Sequence, residues 1–343
     1  MKAFQLLSHG VPGKYALVEV PDVRPGPDEV VVRVRACGLN RLDLWLEAGE
    51  LPIPVTLPRT PGCEIAGEII ELGDDVDEWS LGAAVAVQSN LFCGDCEFCR
   101  RGEESLCLNG RILGIECDGG FAEKVLVPWQ ALVAIPRGVG FEDAAAVTLA
   151  GSTAMHMLTD RGDVRQGDWV LVMAGASGVG SAAIQIARKL GARVISTGST
   201  QAKRDLAVKL GAELVVDIGQ ANWTAAVRKH TEKHGVDWVV EHIGGTVLEQ
   251  VFNCVARGGA VITCGATAGK DVSLHLWPFF VKQQRLIGSY GRNRTDLVAT
   301  LDWVSQGKLK PVIDRVLPLA EAPAALTALR NREVMGKVLL SMS

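Results

Sequence analysis

Residues 92–107, FCGDCEFCRRGEESLC, hold Cys93, Cys96, Cys99 and Cys107 in the spacing C-x2-C-x2-C-x7-C. Four thiolates suit zinc in a tetrahedron, and a site filled by four of them keeps no open position for a substrate. The pattern therefore predicts one structural zinc per chain, which staples a lobe over about residues 90–110. Gly94, Asp95, Gly102, Asn109 and Gly110 supply the turns such a lobe needs. Free thiols or a disulfide pair are the alternatives. Nine cysteines is an odd count, and MKAFQLLSHGVPGK does not read as a secretion signal, so reduced thiols plus a metal fit better.

A second chemistry is written in glycines. Gly175-Ala176-Ser177-Gly178-Val179-Gly180 follows the apolar run WVLVM and precedes SAAIQIARKLG. Between a strand and a helix, such a loop lets the backbone approach a pyrophosphate at the helix N-terminus. Ser177 departs from the usual central glycine, and a tight turn without ligand is the plainer reading. An acid closing the next strand would bind the 2′-hydroxyl of NAD. Here ISTGSTQAKR (195–204) has none, and it offers Ser199, Lys203 and Arg204 instead. That composition favours NADP over NAD, unless the two cations are only the solvated start of a helix. His242 follows a strand at its carboxyl end, where open α/β sheets place ligands. His156 lies on a helix, as a proton donor or as packing.

These residues need elements to hold them. The first 130 residues alternate valine- and isoleucine-rich runs with Gly, Pro and Asp, as in a β domain: EVVVRVRACGL (29–39), GCEIAGEIIELG (62–73), AAVAVQSN (83–90) and AEKVLVP (122–128). FEDAAAVTLAGSTAMHML (141–158) reads as one helix. Strands and helices then alternate to LIGSYG (286–291), which predicts right-handed βαβ units and a parallel sheet. The tail predicts a helix (296–306), an extended KPVIDRVLPL, a helix (320–331) and a strand GKVLL (336–340) that returns to the first domain. With 35 basic and 39 acidic residues well mixed, no basic stripe is available for nucleic acid. No apolar run reaches the length of a membrane helix. A cytoplasmic enzyme acting on a small-molecule substrate is expected.

The run PGPDEVVVRVRACGLNRLDLW, with TPGCEIAGEI, the four-cysteine lobe, DGGFAE, AAAVTLAGSTA, GASGVG and GKVLL, resembles the medium-chain dehydrogenase/reductases over nearly the whole chain. These include zinc alcohol dehydrogenases and quinone oxidoreductases. The resemblance implies a GroES-like β-barrel catalytic domain (1–146 and 291–343) around a Rossmann cofactor domain (147–290), with the active site in the cleft between them. It also implies that the Cys264-Gly265-Ala266 loop meets the nicotinamide carboxamide. A homodimer or homotetramer is implied as well, paired through AVITCG and LHLWPFFV (274–281). Zinc alcohol dehydrogenases of this family bind a second, catalytic zinc. Its ligand positions correspond to Asn40, Cys63 and Leu149, with Glu64 and Asp43 retained nearby. Leu42 and Trp45 replace the proton relay. Leucine cannot bind zinc and an amide binds it poorly. Only Asp43, Cys63 and Glu64 remain for an irregular metal site, and Cys63 also reads as a small core residue.

The GLNxxD pattern resembles the zinc-free quinone oxidoreductases, where Asn and an aromatic line the nicotinamide pocket. The expected function is NAD(P)H-dependent reduction of quinones or activated C=C bonds without catalytic zinc. An alcohol dehydrogenase with an atypical metal, and a non-enzymatic NADPH-binding protein like the related crystallins, are the competing readings.

Overall fold

In the computed structural model, which describes residues 1–342, the valine-rich runs form one mixed sheet and the later alternating segments a second, parallel one. Chain contacts divide into two units. One comprises Met1–Ser152, Gly291–Gly307 and the chain from Pro311 on; the other comprises Thr153–Tyr290 with Lys308–Lys310.

In the first unit, Glu29–Gly38 is the strand around which the others assemble. Val30, Val32 and Val34 are buried against Ile65, Ile69, Val85, Val87 and Phe121. Burying each such side chain contributes about 1.5–3 kcal/mol. Glu29–Gly38 pairs antiparallel with Glu64–Leu72 and, on its other side, with Lys124–Pro128 and Lys337–Ser341. Ile313–Pro318 adds parallel to Lys337–Ser341. The C-terminal strand thus lies in this sheet, with Leu340 opposite Cys37 and Leu339 opposite Gly38. Continuing that register sets Lys337 across from Asn40, where Leu39 N donates to Val338 O at 2.9 Å.

The helix expected over 141–158 is two helices, Phe141–Thr148 and Ala150–Thr159, broken at Leu149 (φ −106°, ψ −60°). The cause is a side chain. The amides of Leu149 and Ala150 each donate to Glu64 Oε1 at 3.0 Å, which draws the chain out of one continuous helix.

The second unit is a six-stranded parallel sheet in the order Leu214–Asp217, Arg193–Gly198, Trp169–Val172, Val236–Glu241, Val255–Thr263 and Arg285–Gly288. Its central strands are apolar on both faces, as helix-covered parallel strands require. The order reverses between Trp169–Val172 and Val236–Glu241, and ligands of such sheets bind at that point. The last strand is shorter than LIGSYG, because Ser289 and Tyr290 leave it before Gly291 turns at φ +61°. No helix among the described residues is long and apolar enough to cross a membrane.

Candidate active site

The four-cysteine lobe is built from two short 3₁₀ turns, Cys99–Arg101 and Glu104–Leu106, with Gly94 and Gly102 at positive φ. The four sulfurs lie within 4.8 Å of one another. Cys93–Cys107 is 3.5 Å, and Cys96–Cys107 and Cys93–Cys99 are 4.0 Å. A tetrahedron with arms of about 2.3 Å has edges of about 3.8 Å, so the donor set fits zinc as it stands. All nine cysteines are free of disulfides. Zinc held here would clamp the lobe. Among the described residues no other group of three or more His, Cys, Asp and Glu side chains converges in this way, and Asp43, Cys63 and Glu64 do not. The lobe is anchored to the returning chain: Ser105 N donates to Asn293 Oδ1 at 3.1 Å and Arg294 N to Glu104 Oε2 at 3.2 Å. Arg292 is buried and donates to Ser89 Oγ and to Asn90 Oδ1.

A polar site of different construction surrounds Glu64, which is fully buried at the start of its strand. Its Oε1 accepts the two amides of Leu149 and Ala150. Its Oε2 accepts Lys337 Nζ at 2.5 Å and Asn40 Nδ2 at 3.1 Å. Lys337, 5 % exposed, also donates to Leu39 O at 2.6 Å and Asn40 Oδ1 at 2.7 Å. The second amide hydrogen of Asn40 has only a 3.4 Å contact with Gly38 O. Gly38 is required here, because a Cβ at that position would collide with Glu64 Oε2. Asp43, on the helix Arg41–Ala48, accepts Asn40 N at 2.7 Å. Burial pushes its carboxyl up to about 7, and its Oδ1 has no hydrogen-bond partner. Burial likewise pushes the Cys63 and Cys37 thiols well up. Leu42 and Trp45 stand half-buried on the same helix. A second zinc does not fit these residues. The Asn40 oxygen serves an ammonium, the Glu64 oxygens are filled, the Cys63 thiol resists ionisation, and Leu149 has no donor.

Lys337 was not among the residues singled out by sequence. In GKVLL it reads as a strand-end cation, and only the register with Glu29–Gly38 brings it to Asn40.

In the second unit, Ser177 caps the helix Gly178–Lys189 by accepting Gly180 N at 3.0 Å. A Cβ on Gly180 would collide with Ala174 O, so glycine sets the tight approach of loop and helix that a pyrophosphate cradle needs. His242 Nε2 lies 3.0 Å from Met173 O and 3.4 Å from Ser177 Oγ. Burial pushes the imidazole pKa down. Oγ of Ser177 accepts from Gly180 N. The Cys264-Gly265-Ala266 segment packs on His242, since a Cβ on Gly265 would lie 2.8 Å from His242 O. Glu241, fully buried, holds this end of the sheet through Ile243 N (2.6 Å), Gly244 N (2.7 Å) and Thr263 Oγ1 (2.8 Å). Sequence reasoning passed over it as an ordinary strand residue. These residues, with Gly175 and Val179 in the same loop, would hold a dinucleotide.

Arg204 differs from expectation. It pairs with Asp217 Oδ2 at 3.0 Å and donates to Gly198 O and Gln201 Oε1. Ser199 and Lys203 flank it at the end of Arg193–Gly198 and the start of Gln201–Lys209. His156 is buried on its helix, with Nδ1 3.6 Å from Asp160.

A GroES-like catalytic unit, a Rossmann cofactor unit and a four-thiol lobe together define a medium-chain dehydrogenase/reductase. Residues 26–137 match the alcohol dehydrogenase GroES-like domain family, and residues 178–306 match the zinc-binding dehydrogenase family. A solved NAD-dependent alcohol dehydrogenase is 38 % identical with a TM-score of 0.95, covering 100 % of both chains. An alcohol dehydrogenase of Geobacillus stearothermophilus is 30 % identical over 100 % of both chains. An acryloyl-coenzyme A reductase of Sulfurisphaera tokodaii is 30 % identical over 96 % of this chain and 98 % of its own. The chain belongs to the zinc-binding dehydrogenases of the medium-chain dehydrogenase/reductase superfamily, and it is an oxidoreductase of the alcohol dehydrogenase type.

Proposed function

We propose that this enzyme reduces activated C=C bonds of unsaturated carbonyls, or quinones, without a catalytic metal. The observation that carries this is the closed network of Asn40, Glu64 and Lys337 at the place where related enzymes bind their second zinc. Alcohol oxidation needs a Lewis acid at oxygen and a relay for its proton. This chain has Leu149, Leu42 and Trp45 at those positions. A nicotinamide cofactor, when bound, would supply a hydride. When that hydride joins the β-carbon, the C=C electrons move to the carbonyl oxygen and form an enolate, far less basic than an alkoxide. The Asn40 Nδ2 hydrogen held only weakly by Gly38 O is the donor for that oxygen, and water protonates the product carbon. The name of the acryloyl-coenzyme A reductase supports this reading.

NADP(H) is the cofactor we favour, on Ser199 and Lys203 and the absence of an acid at the end of Arg193–Gly198. The pairing of Arg204 with Asp217 makes the preference modest, and NAD(H) is the alternative. A homodimer is part of the same reading. Arg285–Gly288 is an edge strand, and beside it Leu276, Trp277 and Phe280 are exposed, Trp277 by 69 %. A covered edge would remove this liability. Nine cysteines without a disulfide fit a cytoplasmic setting.

The names of the alcohol dehydrogenase relatives favour a second reading, alcohol oxidation. A single screen decides between them: alkenals, quinones and simple alcohols, each with NADPH and NADH, with zinc measured on the same sample. Alcohol turnover that is lost on chelation, with enals and quinones ignored, would sink the reductase reading.

A further inference from the structure

A buried lysine accounts for all three of its ammonium hydrogens. Lys337 Nζ has acceptors at 2.5 Å (Glu64 Oε2), 2.6 Å (Leu39 O) and 2.7 Å (Asn40 Oδ1). It therefore has no hydrogen left for a substrate and is not a proton source. Glu64 is equally complete, with four donors on two oxygens. One group in the network is left with spare capacity. It is the Asn40 amide hydrogen on Gly38 O at 3.4 Å, beyond the usual 2.7–3.2 Å of such bonds.

A cation on a carboxamide oxygen draws electron density out of the amide nitrogen and makes its N–H a stronger donor. Chains of hydrogen bonds at low dielectric reinforce one another in this way. Lys337 and Asn40 are arranged for this, with the ammonium on Oδ1 and the open hydrogen on Nδ2.

We propose that Lys337 is the positive charge through which this site stabilises an oxyanion: it polarises the Asn40 carboxamide, whose Nδ2 hydrogen then donates to the substrate oxygen. Lys337 is a positioning residue, and Asn40 is the group that touches substrate. Glu64 holds the ammonium in place and balances its charge. The substrate class rests on the reductase reading; the polarisation does not.

Removing Lys337 alone leaves Glu64 buried and unpaired, and the protein can fail to fold for that reason. The test therefore compares Lys337→Met/Glu64→Gln with Glu64→Gln, in which the ammonium keeps Leu39 O and Asn40 Oδ1 as acceptors; neither variant has a buried carboxylate at position 64. With an enal or a quinone as acceptor, kcat falls on the order of 30-fold from the single to the double variant, part of the 10²–10³ seen when such a donor is deleted. KM for NADPH stays within about twofold, since the lysine acts on the acceptor oxygen and not on cofactor binding. Lys337→Arg retains the cation and keeps most of the wild-type kcat. A second readout is independent of turnover. The Asn40 side-chain amide proton signals, assigned by their loss in Asn40→Ala, move upfield in the double variant relative to Glu64→Gln. Equal kcat and unmoved amide signals in that pair would overturn the proposal. A wild-type enzyme that reduces neither enals nor quinones would sink the reductase reading, and the amide shift would still decide the role of Lys337.

Discussion

Two regions of the first unit lie where zinc sits in enzymes of this family, and they have taken opposite routes. The lobe at Cys93–Cys107 keeps four thiols near the surface, with spacings set by two short turns. The site at Glu64 is buried, and an ammonium with three fixed acceptors stands among the polar groups there. A metal that clamps a loop needs only converging donors, which a short segment provides. A cation that acts on a reacting oxygen must be held by elements distant in sequence, and protein side chains can supply that cation themselves.

The lobe gives the largest expected effect. Removing its zinc, or Cys99→Ser, should cost several kcal/mol and lower the melting midpoint by roughly 10 °C. Elemental analysis should find one zinc per chain; two would erase the contrast between the sites. Next comes the buried pair. Lys337→Met should destabilise by about 3–5 kcal/mol in chemical denaturation, and adding Glu64→Gln should recover part of that loss. A single variant as stable as wild type would show that the pair is not dry.

Asn40→Ala sharpens the comparison on the chemical side. It should lower kcat about 10²–10³-fold with NADPH binding intact by calorimetry. The buried Asp43 gives the second site a pH signature of its own. Its carboxyl is raised to about 7 in the fold, against about 3.9 in an unfolded chain. The native state holds the extra proton between those values, so this group's contribution to stability falls as pH rises from about 4 to 7 and is level above. Asp43→Asn should flatten that slope, and an unchanged slope in denaturation across the range would refute the assignment. The smallest effects belong to the cofactor end. Asp217→Asn frees Arg204 and should tighten NADPH a few-fold, whereas Lys203→Ala should weaken it a few-fold, because exposed charge pairs contribute up to about 1 kcal/mol. Tighter binding of NADH than of NADPH by the wild type would reverse the preference.

The amino-acid sequence by itself determined the features that are local. The four cysteines declare a metal lobe through their spacing. The glycine loop declares a dinucleotide turn because it lies between an apolar strand and a helix. Set against the family pattern that the sequence resembles, the missing ligands at Asn40 and Leu149 are legible one position at a time. Tertiary structure decided what fills that loss. Lys337 stands 297 residues from Asn40, and nothing in GKVLL distinguishes it from any cation at a strand end until that strand pairs with Glu29–Gly38. The break at Leu149 was hidden for a similar reason: an Ala- and Leu-rich run reads as one helix, and the amides that interrupt it answer to a carboxylate on another strand. Arg204 was legible as a cation and illegible as a partner, because Asp217 closes the neighbouring strand. Side-chain type and short-range spacing are written in the chain, but the pairing of buried charges depends on strand register, which is set by the whole apolar core.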